Sequence, residues 1–191
     1  MEFKFTLELL MERTSVVENN LSVRAGDAVR IDPLVINYGG KAAELTDKKF
    51  SFDLDSDGRS DSISFVKSGG GFLFLDANND GKVNNGGELF GPSTGNGFTE
   101  LKRHDSDGNS WIDEADPIFS RLLIWTKDEA GEDSFFTLKQ KDIGAIYLDS
   151  RPTAFSLLNP TNRLDGAVAS TGVFLKEDLT PGTIQQIDLA V

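Results

Sequence analysis

The 191-residue sequence has no cysteine, one histidine, and only two residues each of methionine, tryptophan and tyrosine. Without cysteine there is no disulfide staple, thiolate zinc site or thiol redox chemistry, so another device must hold the fold together. The lone histidine, His104, has no second nitrogen ligand beside it and reads as a helix-end residue rather than a metal or catalytic group. No zinc motif, Ser-His-Asp set or phosphate-cradling glycine loop before a helix is present, which argues against a conventional hydrolase. No apolar run approaches membrane-spanning length, and Met1-Glu2-Phe3-Lys4-Phe5 places an acid where a signal peptide needs apolar residues. Export therefore calls for a signal elsewhere in a longer parent, or a C-terminal route. Positive charge is scarce: 19 Lys and Arg against 31 Asp and Glu leave a net charge of −12. That balance argues against nucleic acid as a partner, because phosphate binding needs the opposite sign.

What the chain does have is fourteen Phe, enough for a folded core, and acid gathered in one place. Between Asp53 and Asp133 lie 17 Asp and Glu against 7 Lys and Arg, while the two flanks are nearly neutral. A compact segment of that charge repels itself unless cations neutralise it. Three stretches within it have oxygen-bearing side chains at alternate positions followed by a turn, a spacing that wraps a hard cation. The third is the best formed, with Asp105, Asp107, Asn109, Asp113 and Asp116 at positions one, three, five, nine and twelve. Its seventh-place carbonyl belongs to Trp111, and Ile112 is the apolar anchor, expected to form a short β-bridge with a neighbouring loop. Ser110 stands at the sharp turn, where glycine is usual and positive φ costs strain. The second loop has Asp76, Asn78, Asp80, the Lys82 carbonyl, Asn84 and a late-closing Glu88, with Gly86-Gly87 as slack. The first has Asp53, Asp55, Asp57, the Arg59 carbonyl and Asp61, but Ser64 at the twelfth place gives no bidentate carboxylate. The ligand chemistry points to calcium.

The expected fold class is α+β, with short strands and small helices around EF-hand-like loops and β-rich N- and C-terminal segments. Alternation predicts strands at Phe3–Leu9 and Leu21–Arg24, with a turn at Glu18-Asn19-Asn20 between them. Further strands are predicted at Leu34–Ile36, Phe50–Phe52, Ile63–Val66, Phe72–Leu75, Leu122–Trp125, Ala145–Leu148, Ala154–Leu158, Ala167–Leu175 and Thr183–Ala190. Short helices are predicted at Phe98–His104, Asp113–Arg121 and from Thr137 towards Gly144. Lys127–Asp133 lacks alternating spacing and reads as an exposed hairpin turn. One domain, residues 1–191, is expected.

The run Asp-x-Asn-x-Asp-Gly-x-Val-Asn-x-Gly-x-Glu-Leu-Phe-Gly from Asp76 to Gly91 is more specific than an EF-hand loop. With Phe98, Asp105–Asp116, Phe119, Leu122, Ile124-Trp125 and Gly144-Ala145-Ile146, it resembles the self-processing module of the FrpC-type iron-regulated RTX proteins. The residues themselves read first as a calcium-binding module whose folding and stability depend on the metal. The resemblance implies the alternative, a module that calcium folds and that then cleaves an Asp-Pro bond at its N-terminal edge. The matching bond here is Asp32-Pro33, dividing residues 1–32 from a module proper at 33–191; the other Asp-Pro, Asp116-Pro117, lies inside the third loop. It further implies attack of the Asp32 carboxyl on its own carbonyl carbon and opening of the anhydride by water or a lysine amine. An extracellular or cell-surface setting follows, with calcium and another protein reached through the parent chain as partners. The sequence departs from the family at Asn37-Tyr38-Gly39-Gly40-Lys41, which is nearly stripped of carboxylates, and at Lys127–Asp133.

Overall fold

The computed structural model describes residues 31–40, 42–128 and 130–190. The elements expected at Phe3–Leu9, Glu18–Asn20 and Leu21–Arg24 lie outside them. In chain order the strands are β1 (Leu34–Asn37), β2 (Leu45–Phe52), β3 (Asp61–Val66), β4 (Gly71–Leu75), β5 (Trp111–Ile112) and β6 (Leu122–Lys127). They continue as β7 (Asp133–Thr137), β8 (Ile143–Tyr147), β9 (Arg151–Leu158), β10 (Leu164–Lys176) and β11 (Pro181–Leu189), with one α-helix, α1 (Gly97–Lys102), between β4 and β5.

Nine strands form one antiparallel sheet in the order β5-β8-β10-β11-β1-β4-β6-β7, with β9 also paired to β10. β8 and β9 run one after the other along the same side of the long, bulged β10. β2 and β3 form a separate hairpin. The architecture is thus mostly β, a curled half-barrel sheet, and the α+β expectation is wrong. Asp113–Arg121 is not a helix. Ala115 donates its backbone N–H to the Asp113 side chain and Asp113 donates its own to Asp116, so these side chains compete with helical bonding. Pro117 supplies no donor at all, and only a 3-10 turn at Phe119–Arg121 forms. The helix expected after Thr137 shrinks to a 3-10 turn at Lys139–Lys141, stopped by Asp142 in the left-handed region.

Both faces of the central strands are buried, which explains why β1, β4 and β6 read as almost unbroken apolar runs. The period of two sends Val35, Phe72, Phe74 and Trp125 to one face, where Phe52, Ile63, Phe65 and Val66 of the β2–β3 hairpin cover them. Leu34, Ile36, Leu73 and Ile124 point to the other, against Phe90, Phe98 and Leu101 of the segment around α1. β1 sits mid-sheet between β11 and β4, in register Val35↔Gln185 and Val35↔Phe72. Asp32-Pro33 leads directly into this central strand.

Candidate functional site

All three acidic loops fold on one hydrogen-bond template. The first-position carboxylate accepts the backbone N–H groups of the fifth and sixth residues: Asp57 and Gly58 on Asp53, Asp80 and Gly81 on Asp76, Asn109 and Ser110 on Asp105. The third-position oxygen accepts the fifth N–H again, at 3.1 Å for Asp55, 2.9 Å for Asn78 and 3.1 Å for Asp107. The fifth-position oxygen accepts the seventh N–H, from Arg59, Lys82 and Trp111. To coil this tightly the fourth and sixth residues enter the left-handed region. Ser56 (φ 61°), Asn79 (φ 60°) and Ser110 (φ 69°) do so without being glycine.

The loops differ in how far their acids converge. Among the described residues, two groups of three carboxylates have oxygens within 4.8 Å of one another: Asp53-Asp55-Asp57 and Asp105-Asp107-Asp116. Either group could hold a metal ion. The second loop uses amides more, with Asn78 donating to Asp80 and Asn84 at 3.2 and 3.0 Å, and Asn84 donating to Asp80 at 3.1 Å. The Asn84 bond is the chief reason the Asp80 carboxyl lies below its ordinary value. Glu88 closes this loop, accepting Ala77 N–H and Asn84 N–H. In the third loop Asp116 is 2% exposed. Burial pushes its carboxyl up, but the Ser106 N–H and hydroxyl and the Asp113 N–H outweigh that, and the balance lies below the ordinary carboxylate value. Asp61 accepts the Leu54 N–H beside the first loop, while Ser64 is buried inside β3. Asp113 takes the Asn109 amide at 3.3 Å.

One expectation about the surroundings changes. Ile112 pairs with Ile146 of β8, not with a neighbouring loop, so the third loop is anchored to the main sheet. The loops that do dock on each other are the first and second. The Gly86 N–H donates to the Asp53 carbonyl at 2.8 Å, and the Ser56 hydroxyl to the Asn85 side chain at 3.2 Å. A methyl group at Gly86 would lie 1.7 Å from the Leu54 carbonyl oxygen, so only glycine permits that contact. Lys127–Asp133 is a hairpin turn between β6 and β7, tied by the Lys127–Asp133 ion pair. His104 follows α1 with its ring against Phe90. Burial, then Arg103 and Arg121, hold it below its usual value.

The Asp32-Pro33 peptide is gripped by the chain between two of these loops. Glu88 ends the second loop and Asp105 begins the third. The intervening segment passes across the dipeptide, with the Leu34 N–H donating to the Phe90 carbonyl at 2.8 Å. Gly91 (φ 123°) packs so closely that a methyl group there would lie 1.9 Å from the Asp32 carbonyl oxygen. Glu100 of α1 holds this turn, accepting the Gly91 N–H and the Thr94 hydroxyl, both at 2.7 Å. On the other side Ile31 bridges Leu189, the Ile187 N–H donates to the Pro33 carbonyl, and Gln186 of β11 reaches the Asp32 carboxyl. Asp32 is 6% exposed. Glu100 and Gln186 were not singled out in the sequence, and Gly91 entered only as the end of the Asp76–Gly91 run, with no role at the dipeptide. Only the glycine-rich run after Glu88, and two glutamines inside an apolar strand, hinted at them.

The SPM-domain family profile matches residues 34–190, beginning one residue past Pro33. The iron-regulated protein FrpA of Neisseria meningitidis serogroup C is 26% identical over 180 aligned residues, covering 87% of this chain. The chain spans 16% of that relative's length.

Proposed function

Because the chain belongs to the SPM-domain, or self-processing module, family, we propose that it cleaves its own Asp32-Pro33 bond when divalent cations fill its acidic loops. The observation that carries the reading is the buried Asp-Pro peptide held by the segment that joins the second and third loops. Ordering of Glu88 at one end and Asp105 at the other would fix the segment that touches the Asp32 carbonyl. Residues 53–61, 76–88 and 105–116 offer only oxygen donors, which suit calcium rather than zinc or copper. Calcium supplies charge neutralisation and loop closure there; the rest is done by the chain.

In the covalent step a carboxylate oxygen of Asp32 bonds to the Asp32 carbonyl carbon, closing a five-membered anhydride. The bond from that carbon to the Pro33 nitrogen breaks, and the nitrogen keeps the electron pair and takes a proton from water. Water then opens the anhydride to two carboxyl groups. Alternatively a lysine amine adds, leaving one amide and one carboxyl and joining residues 1–32 to another protein. Burial of the dipeptide limits water at the carbonyl, which favours attack by the adjacent carboxylate over direct hydrolysis. A parent protein exported to the cell exterior would meet calcium concentrations high enough for weak loops.

Intact-mass measurement of the pure protein with and without calcium tests this. A fragment beginning at Pro33, appearing with calcium and absent with chelator and in Asp32→Ala, is expected. An intact chain after a day in calcium at several pH values would refute it.

A further inference from the structure

Gln186 is buried in the centre of the sheet, and all its amide hydrogen-bonding groups are directed. Its Oε1 accepts the Gly97 N–H at 3.2 Å, and its Nε2 donates to the Gly95 carbonyl at 3.1 Å. A backbone N–H can only donate and a carbonyl can only accept, so these two contacts fix which end of the amide is which. The second N–H of Nε2 then has one direction left, and it meets Asp32 Oδ2 at 3.1 Å. The backbone of β11 is itself immobilised, pairing Gln186 with Leu34 of β1 and Ser170 of β10. Among the described residues of the crossing segment, Glu100 is engaged by the Gly91 N–H and the Thr94 hydroxyl.

We propose that Gln186 is the positioning residue of the self-processing reaction. It sets the side-chain torsions of Asp32, so that the carboxylate is held for attack on its own carbonyl, and it favours the ionised form that attacks. It also acts as the sensor of the cradle. Its orientation depends on Gly95 and Gly97, which lie between the second and third loops, so a loosened cradle releases the amide and the carboxylate together. This inference rests on the self-processing reading.

The test compares wild type, Gln186→Leu and Gln186→Glu in calcium, each checked for folding by thermal melt. Cleavage rate is followed by intact mass from about pH 3 to 8, a span that includes the ordinary aspartate range, and the Asp32 carboxyl titration by carbon NMR. Gln186→Leu removes the donor while keeping apolar bulk; cleavage is expected to slow by about tenfold to a hundredfold, the usual cost of a misplaced reacting group. The Asp32 midpoint should rise in Gln186→Leu, which loses the hydrogen bond to the carboxylate, and rise further in Gln186→Glu, which adds a like charge. The rising limb of the pH–rate profile should move with it, a shift that a merely structural role would not produce. Wild-type rate and wild-type Asp32 midpoint in a folded Gln186→Leu protein would overturn the role while leaving self-processing intact. A wild-type chain that never cleaves, whatever its Asp32 titration, would take down the processing reading and this role with it.

Discussion

Replacing Asp116 by alanine should damage the protein little in chelator and severely in calcium. The carboxylate is buried and accepts three hydrogen bonds, from the Ser106 N–H, the Ser106 hydroxyl and the Asp113 N–H. Each is worth about 1 kcal/mol net, so their loss costs about 3 kcal/mol. Against that, its oxygen lies within 4.8 Å of those of Asp105 and Asp107. Two like-charge pairs at that distance cost about 2 kcal/mol even with water-like screening, and alanine removes both. The net loss in chelator is then about 1 kcal/mol, or roughly 2–4 °C in Tm for a chain of this size. In calcium the same crowding becomes favourable, and losing the closing carboxylate weakens affinity. A hundredfold loss at saturating calcium adds about 2.7 kcal/mol, bringing the total to about 4 kcal/mol, or about 8–16 °C. Melting curves of both proteins in chelator and in millimolar calcium read the two differences. Equal Tm losses in the two conditions would refute a metal role for Asp116, and a larger loss in chelator would show that the repulsion is misjudged.

The other expectations follow from single contacts. Ser110→Gly relieves left-handed strain at φ 69° and should raise Tm by a few degrees, worth about 1 kcal/mol; an unchanged or lower Tm would show that the turn carries no strain. Gly91→Ala pushes a methyl group into the Asp32 carbonyl and should abolish calcium-triggered cleavage while the acidic loops still bind calcium by titration calorimetry; normal cleavage would place the reaction elsewhere. In chelator, the stability that Asp116 contributes through its hydrogen bonds should vary with pH. Its folded-state pKa lies below the unfolded one, so the contribution is fully present above the unfolded value of about 3.9 and is lost as pH falls through the folded value. The gap in Tm between wild type and Asp116→Asn should therefore close on acidification below pH 4, and a gap that widens there would contradict the assigned sign.

The strands were legible because their apolar periods were strong: Leu34–Ile36, Phe72–Leu75 and Leu122–Trp125 all fall within observed strands. The helices at Asp113–Arg121 and after Thr137 were misread because propensity counts residues, whereas Asp113 and Asp116 spend their oxygens on local N–H groups that a helix would need. The strained turn at Ser110 was readable from position alone, since the template leaves the sixth residue no other conformation. The strength of the first loop was less readable. It lacks a twelfth acid, yet the oxygens of Asp53, Asp55 and Asp57 also come within 4.8 Å of one another.

Spacing along the chain determined the coil of the first seven positions in each acidic loop, because those hydrogen bonds join residues two to five apart; the closing acids and the docking of the first loop on the second reach further. The Asp-Pro dipeptide was equally visible as two adjacent letters. What surrounds that bond was decided only by tertiary structure. Gln186 is separated from Asp32 by 154 positions, and Gly91 reaches the same peptide from a different strand connection. Contacts over such separations are fixed by sheet order and register, which follow from burying both faces of the sheet at once, and no local pattern encodes them.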